Sequence, residues 1–276
     1  RIAYTTNPSG TWTIKDVWSG SDAGNMNAVN CITYADGYWV VGGRYYNDTN
    51  YYARIAYATS LSGSWTTKNC WYGDVSTNGI YCVAYANGYW VIGGEYDTGT
   101  GYARISYATT PSGTWTNKDL WNTTNASGSE IYSIAYGNGY WVVGGRYYNK
   151  SRTTYYARIA YATNPSGTWT NNSLWQGGSN TSSNVINCVT YADGYWVVGG
   201  VYWPTSSSTK YARIAYATSP NGTWTNKDLW DSNSSNGIKC IVYGNKHWVA
   251  GGEYYDTTHD ARIAYAGSLD ELGNTE

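Results

Sequence analysis

The tetrapeptide Arg-Ile-(Ala/Ser)-Tyr occurs six times, at Arg1, Arg54, Arg104, Arg158, Arg213 and Arg262, with spacings of 53, 50, 54, 55 and 49 residues. A chain that returns to one motif every fifty residues, with no helical periodicity between, is built from copies of one small unit. Stretch 79–121 shows the unit whole. It holds four runs, at 80–85, 89–92, 103–108 and 114–121, rich in Tyr, Trp, Val, Ile and Thr. These residues suit a pleated surface. Asn87-Gly88 separates the first two runs as a tight hairpin, and Pro111 with Gly113 marks the turn between the last two. Cys82 and Ala84 point one way and Val83 and Tyr85 the other, so a strand is apolar or small on both faces. Such a sheet needs cover on both sides, and one copy cannot provide it for itself.

The period therefore predicts an all-β fold, a five-bladed β-propeller of four-stranded antiparallel blades. The first-strand pattern appears five times, around Cys31, Cys82, Ser133, Cys188 and Cys240. The second appears around Trp39, Trp90, Trp141, Trp196 and Trp248, and the fourth around Trp12, Trp65, Trp115, Trp169 and Trp224. One domain is expected over 1–276, with repeats starting near 1, 54, 104, 158 and 213 and a partial copy at 262–276. The chain opens on a third strand, so the closing blade is expected to be shared between the N- and C-termini. Six third strands serve five blades. Residues 1–6 and 262–266 compete for the last place, and the sequence leaves the winner open. The loser frays, covers an edge or gives a route to self-association.

Composition narrows the partners. The net charge is −1, only 13% of residues are charged, and no basic run exists, which argues against nucleic acid. No apolar run approaches membrane-spanning length, so no membrane insertion is expected. Four of the five cysteines share one repeat position, and Cys70 replaces a fourth-strand Leu or Val. Equivalent positions in stacked sheets lie ~10 Å apart, beyond the roughly 7 Å reach of a disulfide. Small buried thiols are the expectation, with no metal site and no cofactor.

The chain has 32 Tyr and 16 Trp but no Phe, which favours rings with one polar edge. The first-to-second and third-to-fourth turns barely vary between copies. The other two connections vary in length and content, and strand alternation puts both on one face of the ring. Loops on a rigid scaffold carry function, so this face is the expected binding face. The candidate ligand-binding residues are those adjoining it: Tyr45, Tyr96, Tyr147, Tyr202 and Tyr254 after Gly-Gly, and Trp18, Trp71, Trp121, Trp175 and Trp230 ending the fourth strand. Their alternative role is packing between blades.

Thr6 to Trp12, Thr-Asn-Pro-Ser-Gly-Thr-Trp, resembles the Asp-box hairpin of sialidase-type propellers and has relatives ending at Trp65, Trp115, Trp169 and Trp224. The spacing before Trp is one residue shorter and the Asp is missing. In that family the box is structural, so the resemblance implies a propeller and no hydrolysis. Blade number and chain size are similar to those of tachylectin-type lectins.

The reading is a non-enzymatic, multivalent, lectin-like propeller that binds glycans or cell-surface polysaccharide, at an extracellular, cell-surface or virion-surface location. Five similar weak sites would act together through avidity. Two alternatives stand beside it, a structural or adhesive module of a cell-surface or phage-tail assembly and a glycoside hydrolase. Hydrolysis needs two unique carboxylates converging near the axis. Asp74, Asp97, Glu130 and Asp231 are acids outside the repeat, Glu95 and Glu253 share one repeat position with Arg44, Arg146 and Val201, and His247 and His259 also break the pattern. No catalytic residues are assigned from these.

Overall fold

A computed structural model describes residues 1–19, 27–73, 77–122, 128–149, 154–176, 184–204, 207–232, 236–255 and 257–273. Every regular element among them is a strand. The first pair is β1 (Ile2–Tyr4) and β2 (Thr13–Lys15). Four antiparallel four-stranded sheets follow. They are β3 (Ala28–Ala35), β4 (Tyr38–Tyr46), β5 (Tyr51–Ala58) and β6 (Thr66–Gly73); β7 (Gly79–Ala86), β8 (Tyr89–Asp97), β9 (Gly101–Ala108) and β10 (Thr116–Asn122); β11 (Glu130–Gly137), β12 (Tyr140–Asn149), β13 (Thr154–Ala162) and β14 (Thr170–Gln176); and β15 (Val185–Ala192), β16 (Tyr195–Tyr202), β17 (Lys210–Ala217) and β18 (Thr225–Ser232). A three-stranded sheet ends the chain, with β19 (Asn236–Gly244), β20 (His247–Tyr255) and β21 (His259–Ala266). The all-β reading and the four-stranded antiparallel unit hold.

Local chemistry explains the repetition. Asp36-Gly37, Asn87-Gly88, Asn138-Gly139 and Asp193-Gly194 take positive φ at both residues, the geometry a two-residue hairpin needs. The Gly-Gly pair in each second strand has two separate causes. A Cβ on Gly42, Gly93, Gly144 or Gly199 would lie 2.5–2.7 Å from an Ile methyl of the next sheet. A Cβ on Gly43, Gly94, Gly145 or Gly200 would lie 1.9 Å from a carbonyl oxygen of its own first strand. That close approach belongs to a bulge: Ile80 pairs with Gly94 and Cys82 with Gly93, leaving Tyr81 unpaired. The same shift recurs in all five first strands.

First strands of successive sheets touch, β3 with β7, β7 with β11, β11 with β15 and β15 with β19, so they form the inner wall. Trp90, Trp141, Trp196 and Trp248 are fully buried between sheets. Each fourth-strand lysine grips the next sheet's turn. Lys68 Nζ donates to Ser112 O at 3.1 Å and Lys118 Nζ to Ser166 O at 2.9 Å. Lys15 of β2 reaches Ser62 O in the same way at 3.0 Å. The hairpin β1–β2 therefore occupies the outer half of a sheet preceding β3–β6, with Ile2 and Val17 packed on Val41 and Ala56.

The expected blade drawn from both termini is not formed. β1 pairs only with β2, and β21 holds β20 through Gly251↔Ile263 and Gly252↔Arg262. Residues 262–266 thus win the place left open by the sequence. The reason is anchoring: Leu269 and Leu272 beyond β21 are buried against the neighbouring sheet, and Lys227 Nζ binds Asp270 O where a turn normally sits. The outcome is a seam. Ile263 is 70% exposed, while its equivalents Ile55, Ile105, Ile159 and Ile214 are fully buried.

Candidate active site

The inner end of the second strand is where the repeats differ most in charge. Arg44, Glu95, Arg146, Val201 and Glu253 occupy that one position, facing Ala28, Gly79, Glu130, Val185 and Gly237 on the first strands. The bulge beside it re-aims one residue per copy toward the inner wall: Asn30, Tyr81, Tyr132, Asn187 and Lys239. Asn30 and Asn187 bridge to the next first strand, donating to Ile80 O at 2.8 Å and Ile238 O at 2.7 Å. Lys239 pairs with Glu253 at 3.0 Å. The two tyrosines stack on each other, with centroids 5.5 Å apart and planes 20° apart.

Beneath that stacked pair lie two acids. Glu95 is 1% exposed and Glu130 is 6% exposed. Arg146 grips Glu130 at two points, from Nε to Oε2 and from a terminal nitrogen to Oε1 at 2.9 Å. The Tyr132 hydroxyl also donates to Glu130. Glu95 has no such cation on it. It takes a long hydrogen bond of 3.4 Å from the Tyr81 hydroxyl, and its Oε1 is buried without a partner in the described structure. Burial pushes the Glu95 carboxyl well above the usual carboxylate range, and the charge and hydrogen bond of Glu130 push it further, with Arg146 pulling back weakly. Glu95 therefore keeps its proton at neutral pH. Burial raises both tyrosine hydroxyls, so they stay neutral. Burial opposes charge on Arg146, but Glu130 more than compensates and holds it raised.

Below Glu95 the chain is tied down. Asn78 takes the Asp97 N–H at 2.9 Å and donates to the Asp97 carbonyl at 2.7 Å. The Trp71 indole donates to the Glu95 carbonyl at 3.0 Å. Segments 74–76 and 123–127 lead into Asn78 and Glu130 and lie outside the described residues, as does Asp74. Asp231 is exposed and outside the cluster, and His247 and His259 lie on the exposed part of the terminal sheet.

The fold has counterparts among solved structures. A GH43 β-xylosidase/α-arabinofuranosidase from a compost metagenome, solved with xylotriose, is 12% identical, with a TM-score of 0.43 over 86% of this chain and 90% of the other. The catalytic domain of a Coprinopsis cinerea GH62 α-L-arabinofuranosidase is 13% identical, with a TM-score of 0.47 over 92% and 90%. The polysaccharide lyase Uly1 is 11% identical, with a TM-score of 0.48 over 87% of this chain and 56% of that one. No protein-family model and no curated protein matches the sequence.

The lectin-like, non-enzymatic expectation is corrected here. The solved structures named above are glycosidases and a lyase, and none is a sialidase or a tachylectin. The Asp-box-like turns are nonetheless built alike. Gly113 N bonds Thr110 O at 3.1 Å, and the Trp115 indole reaches back to Pro111 O at 3.1 Å.

The ten aromatic candidates pack within and between sheets. In every copy the repeat arginine lies over the tyrosine after Gly-Gly: Arg54 on Tyr45, Arg104 on Tyr96, Arg158 on Tyr147, Arg213 on Tyr202 and Arg262 on Tyr254, at 3.3–3.7 Å from the ring centroids. Four of these arginines, Arg54, Arg104, Arg158 and Arg213, also bond the facing fourth-strand residue, Asn69, Asp119, Ser173 and Asp228 in turn. Trp71, Trp121, Trp175 and Trp230 are buried, and Trp18 is partly so. Trp121 and Trp175 donate to Asn171 and Asn226 of the following sheet at 2.8 and 2.7 Å. Trp230 donates to the Glu253 carbonyl at 3.0 Å. The thiols of Cys31, Cys82 and Cys188 sit 3.6–3.7 Å from glycine carbonyls, and burial raises all three.

Proposed function

We propose that the chain hydrolyses a glycosidic bond, with Glu95 as proton donor and Glu130 as base. The observation that carries this reading is a carboxyl kept protonated by burial, on the second strand β8, beside a second carboxylate held by an arginine, on the first strand β11 of the next sheet. Acetal cleavage needs that pairing: an acid that still holds its proton at neutral pH and a carboxylate that does not. In the reaction Glu95 gives its proton to the leaving oxygen as the C–O bond breaks. Glu130 takes a proton from water, whose oxygen bonds to the anomeric carbon. Arg146 and Tyr132 orient Glu130.

The two carboxyls are close enough for Glu130 to raise Glu95, whereas hydrolysis places such groups roughly 5–5.5 Å or 6.5–9.5 Å apart. Substrate and water entering between them must part the pair, and the 3.4 Å bond from Tyr81 is the weakest tie on Glu95. Glycan as ligand follows from the same geometry, with the stacked Tyr81 and Tyr132 rings above the acids as the contact for a sugar face.

The test is a panel of aryl glycosides and plant and microbial polysaccharides, followed by Glu95→Gln and Glu130→Gln on any substrate turned over. Both variants should lower kcat/KM by about 100-fold or more. A folded Glu95→Gln or Glu130→Gln protein with undiminished turnover rejects the assignment.

A further inference from the structure

We propose that Tyr148 and Tyr155 form a second sugar platform across the acid pair from Tyr81 and Tyr132, so that the ligand is an oligosaccharide lying over the acids with sugar residues on either side. This rests on the hydrolytic reading of the acids and adds to it the length of the substrate. Strand register puts the second ring pair beside the acids. Glu130 pairs with Arg146, Arg146 is two residues from Tyr148 along β12, and Tyr148 pairs with Tyr155. Directly paired residues, and residues two apart on one strand, share a face of the sheet. Glu130, Arg146, Tyr148 and Tyr155 therefore stand in one row, running outward from the first strand to the third. Tyr81 and Tyr132 belong to the inner wall, at the first-strand end of that row. The contacts agree. Arg146, which grips Glu130, has its guanidinium carbon 5.0 Å from the centroid of the Tyr155 ring. The Tyr148 and Tyr155 rings are 4.9 Å apart, with planes at 48°. Burial raises the Tyr155 hydroxyl, Arg146 pulls it back, and Glu130 and Glu95 add to the rise, so both acids act on this ring. From the axis outward the order is two rings, two acids with their arginine, and two rings.

The outer pair is held in place. The Tyr148 N–H donates to Ser129 Oγ at 3.2 Å, which ties the hairpin to the residue before Glu130. A Cβ on Gly128 would lie 2.7 Å from the Tyr155 hydroxyl oxygen, so the chain entering β11 runs against the edge of that ring. Both rings are half-buried, which leaves part of each open to a ligand. Other hairpins carry a ring pair, or a ring with a cation, at the same position: Tyr46 with Tyr51, Tyr255 with His259 and Trp203 with Lys210. Clasping a hairpin end is thus a general use of the position. The sheet that supplies Glu95 has Asp97 and Gly101 there and no ring. At β12–β13 the clasp adjoins an arginine that is itself bound to a carboxylate, which makes it part of the acid site. Tyrosine suits the role, because its face packs on the C–H face of a sugar while its hydroxyl meets the sugar's own. One sugar residue covers one ring pair. Occupying both, with the acids between, takes at least two linked residues.

The test reads binding as well as turnover. An array of plant and microbial glycans, each presented as a series of increasing length, is probed with the Glu95→Gln protein, which keeps all four rings. The best series is then measured by calorimetry. Affinity should rise by at least about tenfold from a single sugar to a trisaccharide. Tyr148→Leu and Tyr155→Leu, which keep apolar volume but lose the flat face, should each weaken the trisaccharide by about 3- to 10-fold, and Tyr155→Phe should not. Affinity independent of length, leucine variants equal to their parent, or a folded protein that binds no member of the array each overturns the proposal. The length series on the native chain decides the matter should a leucine variant fail to fold. An aryl glycoside of one sugar separates the two readings. If Glu95→Gln abolishes its turnover while the leucine changes leave oligosaccharide binding untouched, the outer platform falls and the hydrolytic reading stands. If the leucine changes weaken binding while no substrate is turned over, the platform stands and the hydrolytic reading falls.

Discussion

Glu95 is a residue whose environment, and not its type, decides its chemistry. A carboxyl raised on folding holds its proton where the unfolded chain has already lost it. The native state then binds more protons, so stability falls as pH rises from the ordinary carboxylate range toward the raised value, by about 1.4 kcal/mol per pH unit for one proton. The native chain should lose stability from pH ~5 up to the raised value of about 9, and Glu95→Gln, which mimics the protonated acid, should flatten that slope. Denaturant unfolding at several pH values measures it, and equal slopes for both proteins would show that Glu95 is not the buried acid. Trp90 makes a second case. It is fully buried and its indole nitrogen has no partner among the described residues. Trp90→Ala should cost roughly 3–5 kcal/mol. Trp90→Phe should cost less, because it also removes an unpaired buried donor. Thermal unfolding of the two variants, ranked the other way, would contradict that account.

At the scale of the element, the sequence disclosed much of the fold because each turn and strand repeats. The Asn-Gly hairpins, the Trp-bearing second strands and the third-to-fourth turns were readable from residue type and spacing. The bulge was not. Gly-Gly looked like the end of a strand, but it sits inside one: β8 runs on to Asp97. The second glycine makes room for the Gly79 or Glu130 carbonyl, two residues before the bulged Tyr81 or Tyr132, and residue type alone does not reveal that approach. The acid site was half legible for the same reason. Glu95 and Glu130 were visible as departures from the repeat, but the period says nothing about which departures meet, and a residue from one second strand meets a residue from the next first strand. The bulge predicts a sharp asymmetry. Gly94→Ala puts a methyl 1.9 Å from Gly79 O and should destabilise by several kcal/mol, as strain at a special backbone position does. Gly244→Ala meets nothing within 4 Å and should be near neutral. Comparable melting temperatures for the two would mean the bulge relaxes.

For the whole molecule, a stacked array has no single core, and protection should follow the number of covered faces. Strands β9, β13 and β17 have a sheet on either side and bury their Ile fully; β21 presents Ile263 and Tyr265 to solvent. Amide exchange followed by mass spectrometry should therefore be slowest in peptides spanning β7–β18 and fastest, among third strands, in β21. The order depends on the sheets stacking in chain order, with the middle ones enclosed. Exchange in β21 as slow as in β13 would require cover that no described residue provides, and would contradict the exposure of Ile263 and Tyr265.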